Sequence, residues 1–212
     1  MSAICIIPAR GGSTRIPRKN IKEFHGKPII AYAIEAAKES HLFDDVWVST
    51  EDREIAAVAI QHGAKWHLRS EKFARNEVGT QEVIANALRE LYPKKPPDYV
   101  CCIYPCSPLL TAWDLLDAAR HLKFSNAAYV VSVQREPLAD AGCFYFGTSL
   151  AFLEGIPLYG PHEQMPANRT QDAWIMGRTI AYGLPHNRVC DINIMSDWAR
   201  AEQMYIELKG KP

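Results

Sequence analysis

Ala3–Ile7 reads AICII, and Pro8–Asn20 reads PARGGSTRIPRKN. The first run is short, continuous and apolar, and Pro8 and the pair Gly11-Gly12 close it. Such a run is a strand buried on both faces of a parallel sheet, opening into a loop. The same grammar continues downstream. Pro28–Ser40 carries Ile29, Ile30, Ala33, Ile34 and Ala37 at helical spacing. Val46–Ser49 reads as a strand and Ile55–His62 as a helix that Gly63 stops. A short strand at Lys65–Leu68 is followed by a helix from Thr80, its N-cap, to Leu91. The break Pro93–Pro97 precedes a strand at Tyr99–Tyr104. Asp114–Leu122 is predicted helical, Ala127–Val133 and Cys143–Phe146 extended, and Ser196–Leu208 a closing amphipathic helix. This alternation predicts an α/β fold, a three-layer α/β/α arrangement around a doubly wound, mostly parallel sheet. Ligands in such sheets bind beyond the carboxyl ends of the strands. Gly155–Pro185 has many Gly and Pro and no readable period.

Lys+Arg and Asp+Glu both number 24 in the 212 residues, which argues against nucleic-acid binding by bulk electrostatics. An anion site must therefore be local. The length suits one domain, 1–212, with an ample core. Cys5, Cys101, Cys102, Cys106, Cys143 and Cys190 show no zinc-type spacing and read as buried, reduced thiols. Met1–Arg10 lacks the order and length of a signal peptide, and no apolar stretch approaches the ~20 residues that span a bilayer. The expectation is a cytoplasmic protein with no membrane partner.

From Arg10 to Lys22 stand five cations (Arg10, Arg15, Arg18, Lys19, Lys22) and no acid. In a chain of zero net charge this is a concentrated field at the end of the first strand. Gly11-Gly12 lets the backbone approach a ligand closely, and successive N–H groups in such a turn can form an anion nest. Arg grips phosphate bidentately and Lys acts as a point charge. A triphosphate calls for this treatment, whereas a bare charge run would be only a solvated loop. The loop is neither a Walker A sequence nor the dinucleotide fingerprint, whose third glycine is missing.

PARGGSTRIPRKNI, GKPIIAYAIEAA, LFDDVWVSTEDREIA, YVCCIYPCSPLL (Tyr99–Leu110), DAGCFYFG (Asp140–Gly147) and RVCDINIMSDWARAE (Arg188–Glu202) span most of the chain. Together they resemble the cytidylyltransferases that activate nine-carbon keto sugar acids. The pseudaminic acid branch is the nearer and the N-acetylneuraminate enzymes are relatives. The resemblance implies a nucleotide-diphospho-sugar transferase fold, Rossmann-like, and a reaction in which a sugar hydroxyl attacks the α-phosphorus of CTP. It implies Arg10, Gly11, Gly12, Ser13, Arg15 and Lys19 around the triphosphate, Asn20 at the base and Arg69 near the nucleotide. Tyr104, Ser107 and Phe144 would line the sugar side. Arg10, Lys19 and Asp191 would carry the catalytic work, with Mg2+ held by Asp191 and Asn193. CTP and a sugar acid are the implied partners, a homodimer the implied assembly, and 134–185 a sugar-side or dimer subregion.

The likeness has departures. Thr14 stands where this branch has Lys, as in the related keto-deoxyoctulosonate enzymes, which read Ser-Thr-Arg there. Asn193 replaces the second aspartate of an Asp-x-Asp, and Arg75-Asn76 replaces an acidic pair. Between Val133 and Asp140 only QREPLA (Gln134–Ala139) remains of a longer segment. NRTQDAW (Asn168–Trp174) resembles an element of that segment but follows the DAG motif. These departures leave a nucleotidyltransferase for another sugar acid, or a non-catalytic nucleotide-binding relative, as alternatives. Ser13 has no His partner for nucleophilic work. His41, His62 and His67 read as surface or loop residues, and Trp113, Trp174 and Trp198 as packing. Asp52 reads as a helix cap or a nucleotide contact, and Asp197 as a first-turn acid.

Overall fold

A computed structural model describes residues 2–75, 77–135, 138–158, 173–176 and 178–210. Among them the strands are β1 (Ala3–Pro8), β2 (Glu23–Phe24), β3 (Lys27–Pro28), β4 (Asp45–Thr50), β5 (Lys65–Leu68), β6 (Tyr99–Ile103), β7 (Tyr129–Gln134), β8 (Ala139–Thr148), β9 (Ala173–Met176) and β10 (Thr179–Leu184). The helices are α1 (Ile29–Glu39), α2 (Arg53–Gln61), α3 (Thr80–Leu91), α4 (Ala112–Lys123), α5 (Ser149–Leu153) and α6 (Met195–Lys209).

Side chains alternate across the central strands, as a period of two requires. Cys5 and Ile7 of β1, with Cys101 and Ile103 of β6, enter one core, where α1, α2 and α4 supply Ile34, Ile55 and Leu115. Ile4, Ile6, Val100 and Cys102 enter the opposite core, where α3 and α5 supply Leu88 and Phe152. Helices therefore cover both faces, in the expected three layers. Each fully buried Ile, Leu or Phe contributes roughly 1.5–3 kcal/mol relative to exposure. A third cluster packs Phe24, Tyr32 and Tyr205 edge-to-face, with Trp198 of α6 also edge-on to Phe24. It ties α6 and the β2–β3 hairpin to α1.

The sheet runs β5-β4-β1-β6-β8-β7-β10-β9. β4, β1, β6 and β5 are mutually parallel, as are β7 and β10, whereas β8 is antiparallel to both β6 and β7 and β9 to β10. The sequence-predicted alternation holds through β7. Beyond it four features differ: β8 begins at Ala139 and not Cys143, α5 follows where no element was read, and β9 and β10 fall in the stretch without a readable period. The rest of the irregular stretch, and with it residues 168–172 of NRTQDAW, lies outside the described residues. No described helix is long and apolar enough to cross a membrane.

Two single-residue expectations are corrected. His67 is buried, as the inward position of β5, and Trp113 is 78% exposed on the first turn of α4. The thiols of Cys5, Cys101, Cys102, Cys143 and Cys190 are buried and free, as expected, while Cys106 is half-buried.

Candidate active site

The parallel strands deliver their carboxyl ends to one edge of the sheet. There β1 opens into the basic loop, β4 into Glu51 and Asp52, β5 into Arg69 and β6 into Tyr104. Because β8 runs the other way, its amino end reaches the same edge, where Tyr104 N–H bonds the Cys143 carbonyl at 2.9 Å. A cleft of about 270 Å³ lies over this edge.

Arg10, Arg15, Lys19, Arg69 and Arg75 line the cleft, with Asp191 as the one acid among its described lining residues. Such an imbalance selects a polyanion. Arg18, the remaining Arg of the basic loop, is committed elsewhere, pairing with Asp52 and Glu54. Asp52 also caps α2 through the N–H groups of Glu54 and Ile55, at 2.9 and 3.1 Å. The capping role expected for it is therefore present. The Arg18 guanidinium, with those N–H groups, holds the Asp52 carboxyl below the usual range.

Glu51 and Gly11 bind the loop to β4. Gly11 N–H donates to Glu51 Oε1 at 2.7 Å, and Glu51 Oε2 is buried with no partner among the described residues. A Cβ at position 11 would sit 2.4 Å from Asp52 Oδ2. That oxygen is fixed by Arg18, so only glycine allows this approach. Asn20 is 5% exposed; its amide nitrogen donates to the Arg10 carbonyl at 2.8 Å and its oxygen accepts from the Cys106 thiol at 3.4 Å. In this state Asn20 braces the loop from within the cleft wall. Burial pushes the Cys106 thiol up to about 12, against the opposing pull of Lys19.

The opposite wall is the segment between the 3-10 turn His186–Arg188 and α6. It is an irregular crossing held by side chains. Arg188 makes a bidentate pair with the buried Asp114 at 2.6 and 2.9 Å. Asp197 accepts from the N–H groups of Asn193 and Ile194 at 2.9 and 3.0 Å, the first-turn role expected of it. Lys19 Nζ reaches across to the Ile192 carbonyl at 2.6 Å. Asp191 and Asn193 do lie on one side, with Asn193 Nδ2 donating to Asp191 Oδ2 at 2.6 Å. The Asn193 oxygen, however, accepts from Arg15 at 3.0 Å. Gly142, at φ +59°, lets β8 pass beside the Asp191 carboxylate.

One carboxylate facing a cationic cleft fits a divalent ion that arrives with phosphate, since Mg2+ takes one or two carboxylates and fills its octahedron with phosphate and water. It does not fit a cage made of protein alone, and no group of three His, Cys, Asp or Glu able to hold a metal occurs among the described residues.

Residues 4–139 match the family model described as cytidylyltransferase. The chain is 34% identical to the pseudaminic acid cytidylyltransferase of Campylobacter jejuni over 97% of each chain. The chain belongs to the cytidylyltransferase family. It is also similar to N-acylneuraminate cytidylyltransferase B of Danio rerio, 31% identical over 93% of this chain and 50% of that one. A nucleotidyl transferase from Methanothermobacter thermautotroptrophicus shares the fold at TM-score 0.66 with 14% identity, over 98% of each chain.

In this cytidylyltransferase the cleft gathers Arg10, Ser13, Arg15, Lys19, Asn20, Arg69, Tyr104, Asp191 and Asn193 of the sequence-derived set. Four of the set are not among its lining residues: Gly11 and Gly12 belong to the basic loop without lining the cleft, and Phe144 and Ser107 lie elsewhere. Phe144 is fully buried in the core under α1 and α4, because the pleat of β8 turns it inward, and Ser107 is buried beneath the cleft near Cys143. Tyr104 lines the cleft, its hydroxyl 2.8 Å from Thr80 Oγ1. Sequence reading missed Glu51, Thr80, Cys106 and Arg188. Of these, only the position of Glu51 at the end of a strand was a usable signal.

Proposed function

We propose that the chain transfers the cytidylyl group of CTP to a hydroxyl of a nine-carbon keto sugar acid of the pseudaminic or neuraminic type. The observation that carries the reading is the convergence of Arg10, Arg15, Lys19, Arg69 and Asp191 on one cleft, in a family whose members include a pseudaminic acid enzyme over nearly full length.

Arg10, Arg15 and Lys19 hold the triphosphate and spread its charge, which pulls the α-phosphorus toward attack. The sugar hydroxyl forms the new P–O bond, the bond to the β-phosphate oxygen breaks, pyrophosphate leaves and the hydroxyl proton passes to solvent. Lys19 spans from the loop to the Ile192 carbonyl and so sets the width of the cleft. Tyr104 and Thr80 form the wall left for the sugar. Asp191 would hold a Mg2+ that arrives with the nucleotide, and the ion would supply charge neutralisation at the phosphates. Asn193 would keep that carboxylate aimed. The proposal extends to a homodimer working in the cytoplasm, in line with the family likeness, and size-exclusion chromatography with light scattering tests the dimer.

The test is pyrophosphate release with each of the four nucleoside triphosphates against pseudaminic, neuraminic and keto-deoxyoctulosonic acids. Release is expected with CTP and a nine-carbon acid. Release only with the eight-carbon acid would move the substrate to the alternative. Tight CTP binding without release under any pairing would favour a non-catalytic relative, the reading that Asn193 motivates.

A further inference from the structure

We propose that His67 is a positioning residue for the nucleotide site, fixing the Arg69 guanidinium through Ser49 while Glu90 fixes His67. The inference rests on the nucleotide reading of the cleft and deepens it. β5 turns its single buried side chain, His67, toward the sheet interior, a slot in which an unpartnered imidazole would be costly. Both ring nitrogens are satisfied. Nδ1 lies 2.9 Å from Ser49 Oγ, and Nε2 lies 2.7 Å from Glu90 Oε2 on α3. Arg69 Nε donates to the same Ser49 hydroxyl at 3.2 Å, and Arg69 Nη2 donates to the Ser49 carbonyl.

One arrangement of hydrogens satisfies every member. A carboxylate only accepts, so Nε2 carries the proton toward Glu90. Nδ1 then accepts from the Ser49 hydroxyl, whose lone pairs are left for Arg69 Nε–H. The relay thus has one direction, from Arg69 through Ser49 and His67 to the half-exposed Glu90. Its other end matters because Arg69 is 4% exposed yet lines the cleft. Its Nε and Nη2 are anchored to Ser49, so the rest of the fork is presented to ligand in one orientation. Burial lowers the Arg69 pKa to about 10, with Glu51 opposing that shift. A desolvated guanidinium of this kind gains most from being pre-oriented, since the ligand then meets no side-chain ordering cost. His67 itself does not line the cleft, so any effect on ligand passes through Arg69.

The test is calorimetric titration with CTP, without sugar acid, on wild type, His67→Leu, Ser49→Ala, Arg69→Ala and the double variant His67→Leu/Arg69→Ala. Loss of one hydrogen bond to a charged group predicts about tenfold weaker CTP binding for His67→Leu and for Ser49→Ala. In the Arg69→Ala background, His67→Leu should cost nothing further. The surface end provides variants that leave the core intact: Glu90→Gln keeps an acceptor for Nε2–H and should retain affinity, and Glu90→Leu should lose it. Equal losses from His67→Leu with and without Arg69, or equal affinities of the two Glu90 variants, would overturn the relay alone. Wild-type protein that binds no nucleoside triphosphate would overturn the functional reading and the relay with it.

Discussion

Arg10 and Lys19 are the residues on which the phosphate grip turns, and their contribution is separable from that of the base. Each charged hydrogen bond removed by Arg10→Ala or Lys19→Ala should cost about 1.5–3 kcal/mol in CTP binding and little in cytidine binding. Titration of both ligands measures the difference, and equal losses would remove these side chains from the phosphates. Arg18→Ala should weaken CTP less than Lys19→Ala, because Arg18 is already engaged by Asp52 and Glu54. Asn193 supports a further comparison. As a carboxamide it links Arg15 to Asp191; as a carboxylate it would repel Asp191 until a cation arrived. Asn193→Asp should therefore lower the Mg2+ concentration at half-maximal CTP binding, and Asp191→Ala should abolish the dependence. The assignment of Asp191 is wrong if Asp191→Ala binds CTP with unchanged Mg2+ dependence.

At the scale of elements, the crossing from Arg188 to Asn193 has little regular backbone bonding and depends on side chains. Arg188→Ala would leave the buried Asp114 carboxylate unpaired, at a cost of about 3–5 kcal/mol, read by urea denaturation. It should also weaken CTP binding, because the wall carrying Asp191 is hinged there. The basic loop was legible in sequence because charge and glycine are local signals. The relay and the Arg188–Asp114 pair were not, since side-chain bonds across 18 to 74 residues leave no periodicity. β10 (TIAYGL) was obscured by the Gly and Pro around it. Phe144 was assigned to the sugar side from resemblance, but the pleat of β8, which a motif does not encode, turns it into the core.

For the whole molecule, two anchoring carboxyls set a direction with pH. Arg18 depresses Asp52, and the N–H groups of Asn193 and Ile194 depress Asp197. A depressed carboxyl stabilises the fold above its unfolded pKa, about 3.9, and that contribution drains away as pH falls through the lower folded value. Thermal unfolding should therefore show an acid limb beginning below about pH 5, and Asp52→Asn, which removes the contribution of that carboxylate at neutral pH, should lower the plateau between pH 6 and 8 and shallow the limb. A limb unaltered by Asp52→Asn would assign the acid lability elsewhere. The six unpaired thiols have a consequence of their own. Cys5, Cys101 and Cys102 sit on the two central strands, Cys190 on the cleft wall and Cys106 at its floor. An alkylating reagent reaches each buried thiol only when its surroundings open, whereas half-buried Cys106 is reached from the cleft, so labelling rates resolved by mass spectrometry would time the opening of each layer. Under a saturating ligand the labels at Cys106 and Cys190 should slow first, turning the protein's own sulfur atoms into reporters of occupancy.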